Sequence, residues 1–139
     1  MMRSRTLGVS IAATPQAVYA FIAEPLNLPK WAVGLGSSIG KIDGRWVVET
    51  PNGPATVEFA PRNTLGVLDH TVTLGSGAKI HMPIRVIPNG QGSELAITLF
   101  QQPGMSDAQF QEDASLVQKD LRRVKELLEA QKQGDEHGT

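Results

Sequence analysis

The sequence predicts an α+β protein in which a strongly curved, seven-stranded antiparallel sheet wraps around one long C-terminal helix. Two short helices are expected after the first strand. Two observations carry this. Residues 106–130 space Phe110, Ala114, Val117, Leu121, Val124 and Leu128 by steps of four and three, which gathers all six on one helical face. The segments before them read mainly as short strands joined by tight turns. Such connections make antiparallel neighbours, because a parallel pair needs a crossover of about a dozen residues or more.

In chain order, Leu7, Val9 and Ile11 alternate with Thr6, Gly8 and Ser10, the pattern of a half-buried first strand. Thr14 and Pro15 read as the N-cap and first residue of a helix whose apolar side holds Ala17, Val18, Phe21 and Ile22. That helix ends before Pro25. Residues 26–32 form a second short helix or turn, kept short by Pro29. Strands are expected at residues 37–42, 45–50, 55–60, 66–74, 79–87 and 94–101. Asp43-Gly44, Asn52-Gly53, Arg62-Asn63, Gly75-Ser76-Gly77 and Asn89-Gly90 supply the turns between them. Pro103-Gly104 closes the sheet. Ser106 then caps the long helix by accepting from the Gln109 amide. Asp107 suits the positive end of the helix dipole, while Arg122, Arg123 and Lys125 lie nearer its negative end. Residues 131–139 read as a polar, frayed tail.

At 139 residues, with 40% hydrophobic and 19% charged residues, the chain is expected to form one globular domain with a real core. A net charge of -1 argues against a general nucleic-acid binder. With no cysteine, disulfides, Cys-ligated zinc and thiol catalysis are excluded. No apolar run approaches the ~20 residues needed to span a bilayer. Arg3 and Arg5 precede an apolar stretch as in a signal peptide, but Gly8 and Ser10 interrupt it, so a cytoplasmic protein is expected. His70, His81 and His137 show no HxH or HExxH spacing, and neither a metal nor a cofactor is expected. Gly34-Leu35-Gly36 lacks the third glycine of a dinucleotide loop.

The hairpin of residues 66–87 carries the most chemistry. If Leu68, Val72 and Leu74 face the helix, strand alternation sends His70 there too. The apolar set of the next strand is Ile80, Met82, Ile84 and Val86. Matching the two sets puts Asp69 opposite Arg85 on the outer face, as a cross-strand ion pair. A one-residue slip would instead turn Asp69, His81 and Arg85 inward. An inward His70 has two readings: a buried neutral histidine, or a group that orients a ligand carbonyl or hydroxyl or acts as general acid/base. Asp113 and Asp120 flank the helix stripe; Asp113 has two readings, a carboxylate that reaches the mouth of a cavity or a solvated residue that stabilises the first helical turns. Glu58 is expected to point outward and Phe59 inward.

The element order, the run Ala13-Thr14-Pro15-Gln16-Ala17-Val18-Tyr19-Ala20-Phe21-Ile22-Ala23, the step Pro29-Lys30-Trp31 and the C-terminal helix resemble the START/Bet v 1-like superfamily. That superfamily includes the SRPBCC, or polyketide cyclase/dehydrase-like, domain proteins of bacteria. Leu68-Asp69-His70, Pro83-Ile84-Arg85-Val86, and Thr98-Leu99-Phe100 followed by Pro103-Gly104-Met105-Ser106 resemble a bacterial subgroup of it. The resemblance spans roughly residues 4–130 and assigns residues 1–130 to one such domain. It implies a helix-grip fold with a deep apolar cavity between sheet and helix. Members bind lipids, polyketides or other hydrophobic molecules, and some catalyse cyclisation or dehydration.

Under that resemblance the expected ligand-binding residues are Trp31, Phe59, His70, Met82, Ile84, Phe110 and Ala114. Phe110 and Ala114 would lie near the cavity entrance, and Trp31 would wall or gate the cavity or pack in the core. Trp46 has the same two readings. Three functions follow: binding of a small hydrophobic molecule of the lipid, polyketide or aromatic class; a cyclase/dehydrase-type enzyme using His70 as acid/base; or a protein-interaction module with a filled cavity. A homodimer is compatible with all three.

Overall fold

The computed structural model describes residues 1–32 and 38–137. The alternating N-terminal segment forms β1 (Ser4–Ile11). Helix α1 (Pro15–Ala23) begins as expected: the Thr14 hydroxyl accepts from the Ala17 amide at 3.2 Å, and Pro15 opens the first turn. A 3-10 turn (Pro25–Asn27) and the single turn α2 (Leu28–Trp31) follow. Then come β2 (Ile39–Ile42), β3 (Arg45–Thr50), β4 (Gly53–Phe59), β5 (His70–Thr73), β6 (Lys79–Met82), β7 (Ile84–Asn89) and β8 (Gly92–Phe100), and last α3 (Asp107–His137). Asp43 and Gly44 both take positive φ, 51° and 79°, in the turn between β2 and β3. Gly34-Leu35-Gly36 and Ser37, where the second strand was expected to start, lie outside the described residues.

Among the described residues, eight strands form two antiparallel sheets, ordered β1-β8-β7 and β2-β3-β4-β5-β6. This corrects the expected single seven-stranded sheet. The expected strand of residues 79–87 divides at Pro83, and its partner enters the ladder as β5 only at His70. Pairing register does not change across the break: His70 faces Met82 on one side of it, and Val67 faces Arg85 on the other. Asp69 therefore faces Pro83.

Hydrogen bonding explains the division. The Leu68 amide donates to the Ile84 carbonyl at 2.9 Å, but the Ile84 amide, which a regular pair would return to Leu68, donates to Asp69 Oδ1 at 2.9 Å. Pro83 has no N–H, and its carbonyl accepts from the Thr98 amide of β8 at 3.0 Å.

Helix α3 lies against β1 and β8. Its six stripe residues, from Phe110 to Leu128, are all buried. The Ser106 hydroxyl accepts from the Gln109 amide at 3.1 Å, as the sequence predicts. Farther along, Lys125 Nζ donates to the Ser10 carbonyl at 2.9 Å, and the Glu129 carboxylate accepts from the Ala12 amide at 2.8 Å. These bonds tie the helix to β1 and its following turn. The helix continues to His137, past Ala130, where a frayed tail was expected to begin.

Candidate functional site

Strand alternation in the β5–β6 hairpin buries His70 and Val72 and leaves Thr71 and His81 toward the outside. A cavity of about 390 Å³ lies between this hairpin, the end of β8 and α3. Val72, Leu74, Ile80 and Met82 form one wall, and Ile97, Leu99 and Phe100 form a second. Trp31, Ala32, Pro51, Met105, Leu116 and Val117 complete the apolar lining, while Thr50, Asn52, Gln102, Asp113, Asp120 and His70 add polar groups. The β6 and β8 walls belong to different sheets. β7 pairs with β8 from Ile84, opposite Ile97, onward, and on the other side of Pro83 β6 pairs, among the described residues, only with β5. The break at Pro83 thus leaves room between the sheets.

His70 is the buried polar group of this lining, with 2% of its surface exposed. The Phe59 ring meets it edge-on, with centroids 4.5 Å apart, and Trp31 lies at 6.3 Å. No hydrogen bond to the imidazole forms among the described residues. Burial pushes its pKa from 6.5 down to about 4, and the negative charge of Asp69 opposes that shift only in part. Near neutral pH the ring is therefore uncharged and offers one donor and one acceptor.

Asp69 is on the opposite face of the hairpin. It pairs with the Arg85 guanidinium, and His81 Nε2 lies 3.8 Å from its other oxygen. The slipped register, with these three groups inward, is not adopted. Asp69 and Arg85 meet diagonally rather than directly opposite, because the hairpin register sets Asp69 against Pro83 and Arg85 against Val67.

Of the residues expected at the site, Trp31, His70 and Met82 line the cavity. Phe59 touches His70 but does not reach the cavity lining; it borders a small separate pocket with Tyr19. Ile84 is completely buried in the core at the seam between the sheets, so it too is off the wall. Phe110 and Ala114 also need correction. Both are buried under α3, with Arg3 over the Phe110 ring at 5.7 Å, and neither lines the cavity. The reason is rotational. The cavity opens along the flank formed by Asp113, Leu116, Val117 and Asp120, and of these only Val117 belongs to the core stripe.

That flank has its own helical spacing, and Leu116, an apolar residue outside the core stripe, is the sequence signal for it. Phe100, which the alternation of β8 leaves ambiguous, also lines the cavity. Trp46 does not; Lys41 Nζ sits over its ring at 5.5 Å. The buried Nε1 of Trp31 has no hydrogen-bond partner among the described residues.

This arrangement can hold an apolar body and hydrogen-bond one polar group at His70. It lacks the orienting contact of an acid/base pair among the described residues. The Tyr19 hydroxyl accepts from the Asn63 amide at 2.9 Å, and Asp113 accepts from the Gln109 side chain at 2.8 Å. No described group of three His, Asp or Glu side chains is placed to hold a metal ion, and no described helix is long and apolar enough to cross a membrane.

No family model matches the chain, and no curated protein matches it. Solved structures do. The protein XoxI from Bacillus cereus is 15% identical with a TM-score of 0.71, covering 91% of this chain and 96% of that one. Ara h 8.0201 is 11% identical with a TM-score of 0.67, covering 94% of this chain and 99% of that one. DynU16, from the dynemicin biosynthetic locus, is 15% identical with a TM-score of 0.67 over 91% of this chain; the match spans 47% of DynU16. The chain is thus an α+β protein built around a long C-terminal helix. Its fold is the one these solved structures share, a START/Bet v 1-like fold.

Proposed function

We propose that this protein binds a small hydrophobic molecule, of the lipid, polyketide or aromatic class, between α3 and the β5–β6 hairpin. The observation that carries this reading is the cavity of about 390 Å³, walled mainly by apolar side chains and holding one buried imidazole. Its volume falls within the range of about 300–1,000 Å³ typical of ligand pockets. The apolar walls supply affinity, and His70 fixes the direction of a carbonyl or hydroxyl. The open space favours this reading over a filled interaction module. The absence of a hydrogen-bonded partner for His70 among the described residues favours it over acid/base catalysis.

Titration with the uncharged fluorescent probe N-phenyl-1-naphthylamine tests the proposal. A saturable increase in probe fluorescence is expected, at one site per chain. Met82→Trp, which places a larger ring in the cavity wall, is expected to abolish it while the circular dichroism spectrum is retained. Native mass spectrometry of the purified protein would then identify any molecule carried from the cell. A folded protein that leaves the probe free in solution would overturn the reading.

A further inference from the structure

We infer that the cavity selects a hydrophobic molecule bearing a cationic amino group and disfavours one bearing a carboxylate. This rests on the cavity being a binding site and goes on to the charge of what it binds. Among the described residues, the charged side chains lining it are Asp113 and Asp120, with no lysine or arginine. Asp113 is half-buried on the cavity flank of α3, and its hydrogen bond comes from the neutral Gln109 amide at 2.8 Å. Three other carboxylates have cations close by: Asp69 has Arg85, Asp107 has Arg3, and Glu129 has Lys125. Among the described residues, no ion pair of this kind reaches Asp113.

A helical role does not account for Asp113. Ser106 caps α3, and Asp107 is the acidic residue of its first turn. Asp113 lies beyond that turn, on the flank of α3 that Leu116, Val117 and Asp120 share and that lines the cavity.

His70 is an independent pointer to a ligand. It is 2% exposed, lines the same cavity, and has no hydrogen bond to its ring among the described residues. Its burial favours the neutral form, so it supplies no positive charge for a carboxylate. A fatty acid or aromatic acid would bring its charge toward Asp113, with no cation among the described lining residues to receive it. An ammonium group would find an anion at the edge of a low-dielectric cavity, where attraction is stronger than in water. The apolar remainder would lie along Val72, Met82 and Leu99.

Displacement of bound N-phenyl-1-naphthylamine by three compounds with the same ring system tests this at pH 7.5: 2-naphthylmethylamine, 2-naphthylmethanol and 2-naphthoate. The amine is expected to bind tightest, the alcohol about tenfold more weakly, and the acid weakest. Asp113→Asn should bring the amine close to the alcohol and leave the alcohol within about twofold of its original affinity. Met82→Trp, which is expected not to hold the probe, should also show no amine binding by isothermal titration calorimetry, which separates the cavity from general attraction to surface acids. The inference is overturned if the acid competes as well as the amine. It is also overturned if the amine fails to displace bound probe, or if its advantage survives Asp113→Asn or its binding survives Met82→Trp. If the probe itself does not bind, the cavity reading fails and this inference fails with it. If the probe binds and the acid competes best, only the charge selection fails.

Discussion

Asp69 and Pro83 face each other across the hairpin, at the point where its regular ladder is interrupted. Asp69 accepts the Ile84 amide with its side chain, and Pro83 offers no amide of its own. The same carboxylate holds Arg85 on the outer face, while the adjacent His70 turns into the cavity. The seam between the two sheets and the direction of the candidate ligand-contacting residue are therefore set within two neighbouring positions.

Asp69→Ala is expected to lower stability by about 1–3 kcal/mol, because the partly buried Ile84 amide loses its acceptor. Asp69→Asn should lose less, since an amide oxygen can still accept that bond. Urea unfolding of the two variants would separate the hydrogen bond from the charge. Equal losses would assign the effect to the pairing with Arg85.

Gly66 lies at the other end of the same hairpin. Its φ is 74°, and a Cβ built there would come 2.2 Å from the Val86 carbonyl oxygen. The Gly66 carbonyl also accepts the Val86 amide at 3.0 Å, so the two backbones cannot easily separate. Gly66→Ala should therefore destabilise by about 2 kcal/mol or more. Gly75→Ala, where a Cβ meets nothing within 4 Å, should be nearly neutral. The difference in urea midpoint between the two variants is the measurement.

The parts of the fold legible in the sequence are those with a period. The six-residue stripe of α3 is buried as its spacing requires, and alternation places His70 on the inner face. The division at Pro83 has no such mark. Ile80, Met82, Ile84 and Val86 keep one phase through it, because Pro83 falls on the polar phase. The cavity is harder still to read, since an empty volume leaves no residue type behind. Phe110 and Leu116 are both large apolar residues of one helix. Which of them meets the cavity depends on which flank of α3 faces the space between β6 and β8, a tertiary distance that no local pattern encodes.

A pair of leucines on α3 tests that distinction. Leu121 is completely buried, whereas Leu116 is 37% exposed and lines the cavity. Leu121→Ala should cost about 2–5 kcal/mol through lost burial and the void left behind. Leu116→Ala should cost less than about 1 kcal/mol but weaken binding of N-phenyl-1-naphthylamine. Urea unfolding and probe titration on the same two variants would show the contrast. Similar stability losses from both would mean that Leu116 is part of the core.

His70 makes stability depend on pH in a defined direction. Burial lowers its pKa from 6.5 to about 4, so between these values the unfolded chain binds a proton that the folded chain does not. Stability is full above pH 6.5 and falls as the pH drops toward 4, by about 3 kcal/mol in all for this group. Glu94 also titrates in acid. Hydrogen bonds from Ser10 and Asn89 hold its pKa below the usual 4.5, so its effect belongs to the lower end of the range. His70→Phe isolates the imidazole. Its urea stability should be nearly flat from pH 7 to 5, where the wild type already declines. Parallel curves for the two proteins over that interval would mean that the imidazole is protonated as readily in the folded chain as in the unfolded one. In that case burial would not be keeping it neutral.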